Sequence, residues 1–147
     1  MMLTHFIVGT FLIALTVVIH AIALDYLMRF LEKAGPSVFQ RFRRTWKIPM
    51  LIIAVLGNFL AIIFEIWIWT LFYLGMHILP DLETALYFST QTFTTVGYGD
   101  IHLTTDWRLL SAFQSANGFI LFGWSTAFIF EIMSKLYEHE KISKTED

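Results

Sequence analysis

Three apolar stretches, each long enough to cross a lipid bilayer, constrain the fold of this chain more than any other feature of its sequence. They occupy residues 6–28, 48–77 and 109–137, and the first contains an apolar run from Phe6 to Ile19. A helix needs about 20 predominantly apolar residues to span the hydrocarbon core. Only 15% of the 147 residues are charged, which disfavours a separate soluble domain. The sequence therefore predicts an all-α membrane protein with three transmembrane helices.

Charges are distributed unevenly between the two segments that connect these stretches. Segment 29–47 has one acidic residue, Glu32, against six cations: Arg29, Lys33, Arg41, Arg43, Arg44 and Lys47. Segment 78–108 has one cation, Arg108, against four acids: Asp81, Glu83, Asp100 and Asp106. Because cationic connections stay in the cytoplasm, we expect the N-terminus outside and the C-terminus inside. The absence of Lys and Arg from residues 1–5 argues against a cleaved signal peptide.

Residues 94–100 read Thr-Thr-Val-Gly-Tyr-Gly-Asp, and the spacing of their glycines has a conformational meaning. Gly97 and Gly99 occupy alternate positions, where positive φ costs little, while the residues between them keep negative φ. This alternation turns successive carbonyls toward one axis. Carbonyls of Thr95, Val96, Gly97 and Tyr98, with the Thr95 hydroxyl, can then replace the hydration shell of a monovalent cation. The alternative is a surface turn rich in Gly and Asp.

The TVGYG of residues 95–99 resembles the selectivity filter of potassium channels. Residues 81–108 closely resemble the pore module of prokaryotic potassium channels, and the flanking helices resemble it in pattern only. The resemblance implies a passive potassium channel without catalysis or cofactor, in the plasma membrane, here the bacterial inner membrane. It also implies K+ binding at Thr95, Val96, Gly97 and Tyr98, a filter that ends at Gly99, and Asp100 as an outer-mouth anion.

Before the filter, Asp81 is a plausible N-cap for a helix over residues 82–93, which is too short to cross the membrane. It is predicted to be a re-entrant pore helix whose negative C-terminal end favours a cation. Gln91 stands where many family members carry an acidic residue. We expect filter support or an outer-mouth position for four residues: Gln91, Thr94, His102 and Trp107. Trp107 matches a family tryptophan at the top of the inner helix.

One filter copy per chain determines the expected assembly. Carbonyl cages need four filter segments around one axis, and irregular backbone at membrane depth must be buried by protein. The sequence therefore predicts a cyclic homotetramer that binds K+ and is surrounded by lipid, without nucleic acid. A non-conducting subunit or scaffold that assembles with another channel is the alternative. An ion-coupled transporter is disfavoured because no inverted repeat is visible.

The last apolar stretch is expected to line the pore. Gly118 lies close to the hinge glycine of family members, and Gly123 offers a second flexible point. Spacings of three or four residues predict a pore face made of Ile120, Gly123, Ala127 and Glu131. The alternatives are close helix packing at both glycines and an ion pair between Glu131 and Lys135. In the second stretch, Glu65 is expected to contact a polar group of the first helix, in the region of His20, rather than an ion.

The predicted organisation has four parts. Residues 1–28 form a peripheral transmembrane helix, and residues 29–47 a basic cytoplasmic linker that is either an interfacial slide helix or an ordinary loop. The pore module, 48–137, contains an outer helix (48–79), a pore helix (82–93), the filter (94–100) and an inner helix (108–137). Residues 138–147 are a frayed tail. Anionic lipids are expected to bind the cations of the linker: Arg41, Arg43, Arg44 and Lys47.

Overall fold

The computed structural model describes residues 2–42 and 45–146, which form four helices and, within those ranges, no strand. The helices are α1 (Met2–Phe42), α2 (Lys47–Gly75), α3 (Leu82–Phe93) and α4 (Arg108–Glu146). Three of them contain segments long and apolar enough to cross a membrane: Leu3–Phe42, Lys47–Gly75 and Arg108–Glu138. The predicted all-α fold is therefore confirmed, and α3 has the predicted bounds.

Helix α1 extends further than predicted. Its 41 residues run through Pro36 to Phe42, so the linker predicted from residue 29 begins only after Phe42. A helix of this length measures about 60 Å, roughly twice the thickness of the hydrocarbon core. Leu31 is buried on one side of this extension. The apolar face of the helix therefore continues beyond the first cations. Arg43 and Arg44 lie outside the described residues, and a membrane-surface position for this segment stays a prediction.

Helix α2 ends earlier than predicted, at Gly75 rather than residue 79. The N–H of Ile78 donates to the carbonyl of Tyr73 at 2.9 Å, and that of His77 donates to the carbonyl of Leu74 at 3.0 Å. These two bonds form a Schellman cap, which requires a left-handed residue. His77 supplies it with φ 54°. The cap turns the chain away from the helix axis just before α3.

The tail is helical as far as the structure describes it. Helix α4 continues without a break beyond the predicted inner helix (108–137) to Glu146, Asp147 lies outside the described residues, and fraying of residues 138–147 stays a prediction. Residues 138–146 contain neither Gly nor Pro, the two residues that most disfavour a helix interior, so a helix can continue through this charged stretch.

The chain forms two compact units. Unit 1 comprises Met1–Ala21 and Ile62–Phe122, and its core contains the fully buried side chains of Trp69, Tyr73 and Phe93. Unit 2 comprises Ile22–Ala61 and Gly123–Asp147, and its core includes Leu24, Trp46, Met50 and Phe128. In unit 2 the rings of Phe39 and Trp46 meet edge to face at 5.4 Å. Both cores consist mainly of apolar side chains, and buried polar side chains such as Gln114 in unit 1 and Asn58 in unit 2 lie among them.

Candidate functional site

Asp81 fixes the start of α3. Its Oδ1 accepts a hydrogen bond from the Thr84 N–H at 2.8 Å, and its Oδ2 accepts one from the Thr84 hydroxyl at 2.8 Å. These bonds make Asp81 the N-cap, as predicted. The backbone bond, followed by the hydroxyl bond, lowers the pKa of Asp81 below its ordinary value. The carboxylate therefore remains an effective cap at neutral pH.

The TVGYG segment, residues 95–99, has the alternating backbone that its glycines predict. Gly97 has φ 53° and Gly99 has φ 78°. Thr95 also has positive φ, at 60°, which the sequence analysis missed. A left-handed backbone at a β-branched residue costs on the order of 1–3 kcal/mol and is found where the surroundings impose it. Thr95 lies two residues before Gly97, just as Gly97 lies two residues before Gly99. This regular spacing was a signal that could have predicted positive φ at Thr95.

Gln91 on α3 makes two hydrogen bonds to this segment and one to Asp100, the residue that follows it. Its side-chain Oε1 accepts a hydrogen bond from the N–H of Tyr98 at 2.8 Å, and its Nε2 donates to Asp100 Oδ1 at 3.2 Å. Its main-chain carbonyl accepts from the N–H of Gly97 at 3.1 Å. Gln91 is itself buried, whereas its partners Gly97, Tyr98 and Asp100 are exposed in the single chain. The structure thus brings Gln91 together with the residues that it was expected to support.

Asp100 closes the same network at the end of the segment. The Tyr87 hydroxyl donates to its Oδ2 at 2.8 Å. This bond, followed by the bond from Gln91, lowers the pKa of Asp100 below its ordinary value. Asp100 is therefore an anion throughout the ordinary pH range, at an exposed position directly after Gly99.

Three other predicted residues lie around this network. The Thr94 hydroxyl donates to the carbonyl of Thr90 at 2.8 Å and so caps α3. His102 is exposed and lines, with Gly97 and Gly99, a cavity of about 290 Å³. The Trp107 ring packs on His5, with 5.0 Å between ring centroids, close to the start of α4.

Polar side chains of α4 hold the C-terminal half of α3 within unit 1. Gln114 Nε2 donates to the carbonyl of Ser89 at 3.2 Å, and the Ser115 hydroxyl donates to the carbonyl of Thr92 at 3.0 Å. Gln114 also accepts a bond from the Tyr73 hydroxyl at 2.9 Å. Sequence reasoning missed these residues. Their polar character in an apolar stretch was a usable signal, because such groups need partners in the membrane.

Gly118 of α4 packs closely against the end of α3. A Cβ on this residue would lie 1.8 Å from the carbonyl oxygen of Phe93, the last residue of α3. Only glycine fits there. Gly123, in contrast, has no atom within 4 Å of its ideal Cβ position. Close packing therefore explains Gly118, and a hinge at either glycine stays a prediction.

The predicted pore face of α4 is not covered by its own chain. Ile120, Gly123, Ala127 and Glu131 are all exposed. Glu131 Oε1 lies 3.4 Å from Lys135 Nζ, which is the ion pair that was considered as the alternative. Lys135 Nζ also lies 3.7 Å from Glu32 Oε1.

A family model described as "Ion channel" matches residues 59–135, more than half of the chain. The chain therefore belongs to this ion channel family, and with its apolar helices it is a membrane protein. The matched range contains α3 and the TVGYG segment, whereas α1 lies outside it. Searches of curated proteins and of solved structures returned no match to the chain.

Proposed function

We propose that this protein is a potassium-selective channel that conducts K+ passively through a filter formed by Thr95–Gly99. The observation that carries this proposal is the left-handed backbone at the alternate residues 95, 97 and 99. An alternation of left- and right-handed conformations directs consecutive carbonyls to one side of the segment. Carbonyl oxygens there exchange with the hydration shell of K+ at nearly equal free energy, which permits both entry and exit.

The filter requires four copies of the chain. Val96 is 54% and Tyr98 73% exposed in the single chain, so one subunit encloses no ion. Irregular backbone at membrane depth is tolerated only where protein buries it or it lines a water-filled cavity. In a cyclic homotetramer the four filter segments are surrounded by protein and line a central axis. The exposed face of α4 then borders this axis. K+ is bound at Thr95, Val96, Gly97 and Tyr98.

The orientation follows from the distribution of charge. The cationic connection 29–47 lies in the cytoplasm of a bacterium, and Asp100 and His102 face the outside. The exposed Arg41 attracts anionic lipid. Lys47 contributes less, because its Nζ lies 3.9 Å from the centroid of the Tyr137 ring.

Potassium flux into liposomes that contain only this protein tests the proposal. Liposomes with the protein should take up K+ down its gradient, and empty liposomes should not. Uptake that appears only after another channel protein is added would favour the non-conducting subunit instead.

Replacement of Glu131 by Gln should weaken block by internal magnesium. Four carboxylates at the inner mouth concentrate cations, so we expect the apparent affinity for Mg²⁺ to fall by about tenfold. Voltage-clamp recordings with varied internal Mg²⁺ measure this affinity. Glu32→Gln is the matched control, because it removes another carboxylate near Lys135 but lies on α1. Equal block in wild type and Glu131→Gln would favour the ion pair with Lys135 as the role of Glu131.

Replacement of His102 by Gln should flatten the response to external acid. Histidine is the side chain that ordinarily gains charge between pH 8 and pH 5, and four added charges near the mouth repel K+. Lowering external pH from about 7.5 to about 5.5 should therefore reduce inward current. Asp100 stays ionised throughout this range because its pKa is lowered, so its constant negative charge partly offsets the added positive charge.

The control for this prediction is His77→Asn, which removes an exposed histidine and tolerates the positive φ of that position. Its pH response should match that of wild type. If the His102→Gln curve superimposes on the wild-type curve, His102 is too far from the ion path to influence conduction.

A further inference from the structure

Helix α1 fully buries two polar side chains in unit 1, although it lies outside the range matched by the family model. Thr16 and His20 are both 0% exposed. Thr16 Oγ1 accepts a hydrogen bond from Asn117 Nδ2 at 2.7 Å, and its own hydroxyl reaches the carbonyl of Ile13 at 2.9 Å. His20 Nδ1 lies 2.7 Å from Glu65 Oε1. Buried polar groups without partners are costly, so these contacts fix the rotation of α1 against α2 and α4.

The contact at Asn117 restrains the part of α4 that touches α3. Asn117 is 0% exposed, and the next residue, Gly118, packs against the carbonyl of Phe93 without room for a Cβ. A rotation of α4 that releases Asn117 from Thr16 therefore also moves Gly118 relative to Phe93. Close-packed interiors transmit such displacements because they contain little free volume.

Phe93 is directly followed by the residues of the filter. Thr94 caps α3, and Thr95, the first residue of the proposed filter, has positive φ. Gln91, one turn earlier on α3, bonds to Gly97 and Tyr98. The position of the C-terminal turn of α3 thus determines the position of the carbonyls that surround the ion.

We infer that Thr16 and Asn117 are positioning residues for the filter, through which the additional helix α1 sets ion selectivity. The inference rests on the proposed potassium channel function. Thr16 anchors Asn117, Asn117 fixes the rotation of α4, and Gly118 carries that restraint to the Phe93 carbonyl. Neither Thr16 nor Asn117 contacts the ion.

Thr16→Val tests this inference because it preserves the shape of the side chain and removes the oxygen that accepts from Asn117. With K+ on one side of the membrane and Na+ on the other, the reversal potential gives the ratio of K+ to Na+ permeability. In Thr16→Val this ratio should be lower than in wild type by about two- to thirtyfold. Thr16→Ser retains the hydroxyl and should restore the ratio of wild type. Thr10→Val, at an exposed position of the same helix, is the control and should leave the ratio unchanged.

A double-mutant cycle separates coupling from independent effects. Asn117→Leu should lower the ratio, and Thr16→Val combined with Asn117→Leu should lower it no further than the larger single effect. Additive effects of the two replacements would overturn the inference. A Thr16→Val channel that conducts with the wild-type ratio of K+ to Na+ permeability would also overturn the inference. In that case a wild-type protein that is selective for K+ still supports the proposed function. A non-selective wild type would instead refute both.

Hydrogen exchange covers the case in which Thr16→Val carries no current. In the purified protein, the amides of Gly97 and Tyr98 are bonded to Gln91 and should exchange faster in Thr16→Val than in Thr10→Val. Equal exchange at these two amides in both variants would show that α1 does not position the filter.

Discussion

Gly97→Ala is expected to abolish potassium selectivity while the protein still inserts into the membrane. Gly97 has φ 53°, and its ideal Cβ position has no atom within 4 Å, so the effect arises from backbone conformation rather than from a clash. A left-handed conformation costs an L-residue about 1–2 kcal/mol. In the proposed tetramer, the same cost would arise in each of four chains. Relief of this strain would turn the carbonyls of residues 96 and 97 away from the proposed ion path.

The measurement is the reversal potential with K+ and Na+ on opposite sides, together with the amount of protein in the membrane fraction. Gly75→Ala is the matched control, because its Cβ position is equally open and its φ is not positive. It should behave as wild type. An unchanged preference for K+ in Gly97→Ala would show that the TVGYG segment is not the filter.

Gly118→Ala is expected to destabilise the folded protein strongly. The added Cβ would lie 1.8 Å from the backbone oxygen of Phe93, which cannot move as a flexible side chain can. Overpacking of this kind costs about 1–3 kcal/mol or more, because α4 must move away from α3. Thermal unfolding in detergent should therefore show a lowered Tm, and the surviving channels should be less selective.

Gly123→Ala is the control on the same helix, since its Cβ position is open. Alanine favours the helix over glycine, so stability should stay within about 1 kcal/mol of wild type or rise. If Gly118→Ala were as stable as wild type and changed only the opening of the channel, a hinge would explain this glycine better than close packing.

Local signals in the sequence predicted most of the fold. The length of the apolar stretches indicated three spanning helices, and Asp81 marked the start of α3 because its carboxylate is suited to the free N–H groups there. The helix ends that were wrong lacked such signals. His77 adopts the left-handed cap position that glycine usually supplies, and α1 continues through Pro36, a residue that more often ends a helix.

In the candidate site, too, local signals predicted some features, and others depend on packing between distant residues. Filter support by Gln91 was predicted from its place before the motif, whereas its individual bonds to Gly97, Tyr98 and Asp100 come from the structure. A polar partner for Glu65 on the first helix was also predicted, because an ionisable residue within a membrane helix needs a partner, and the structure gives this role to His20. The bond between Thr16 and Asn117 joins residues 101 positions apart, and only the packing of α1 against α4 determines it. The positive φ of Thr95 likewise depends on the surrounding structure.

The most direct test of a potassium-selective filter is a reversal potential measured on the purified protein alone in a planar bilayer, with K+ on one side and Na+ on the other. The proposed filter predicts a reversal potential shifted far from zero, in the direction expected for a membrane permeable only to K+. A current that reverses near zero, as for equal permeability to both ions, would contradict it.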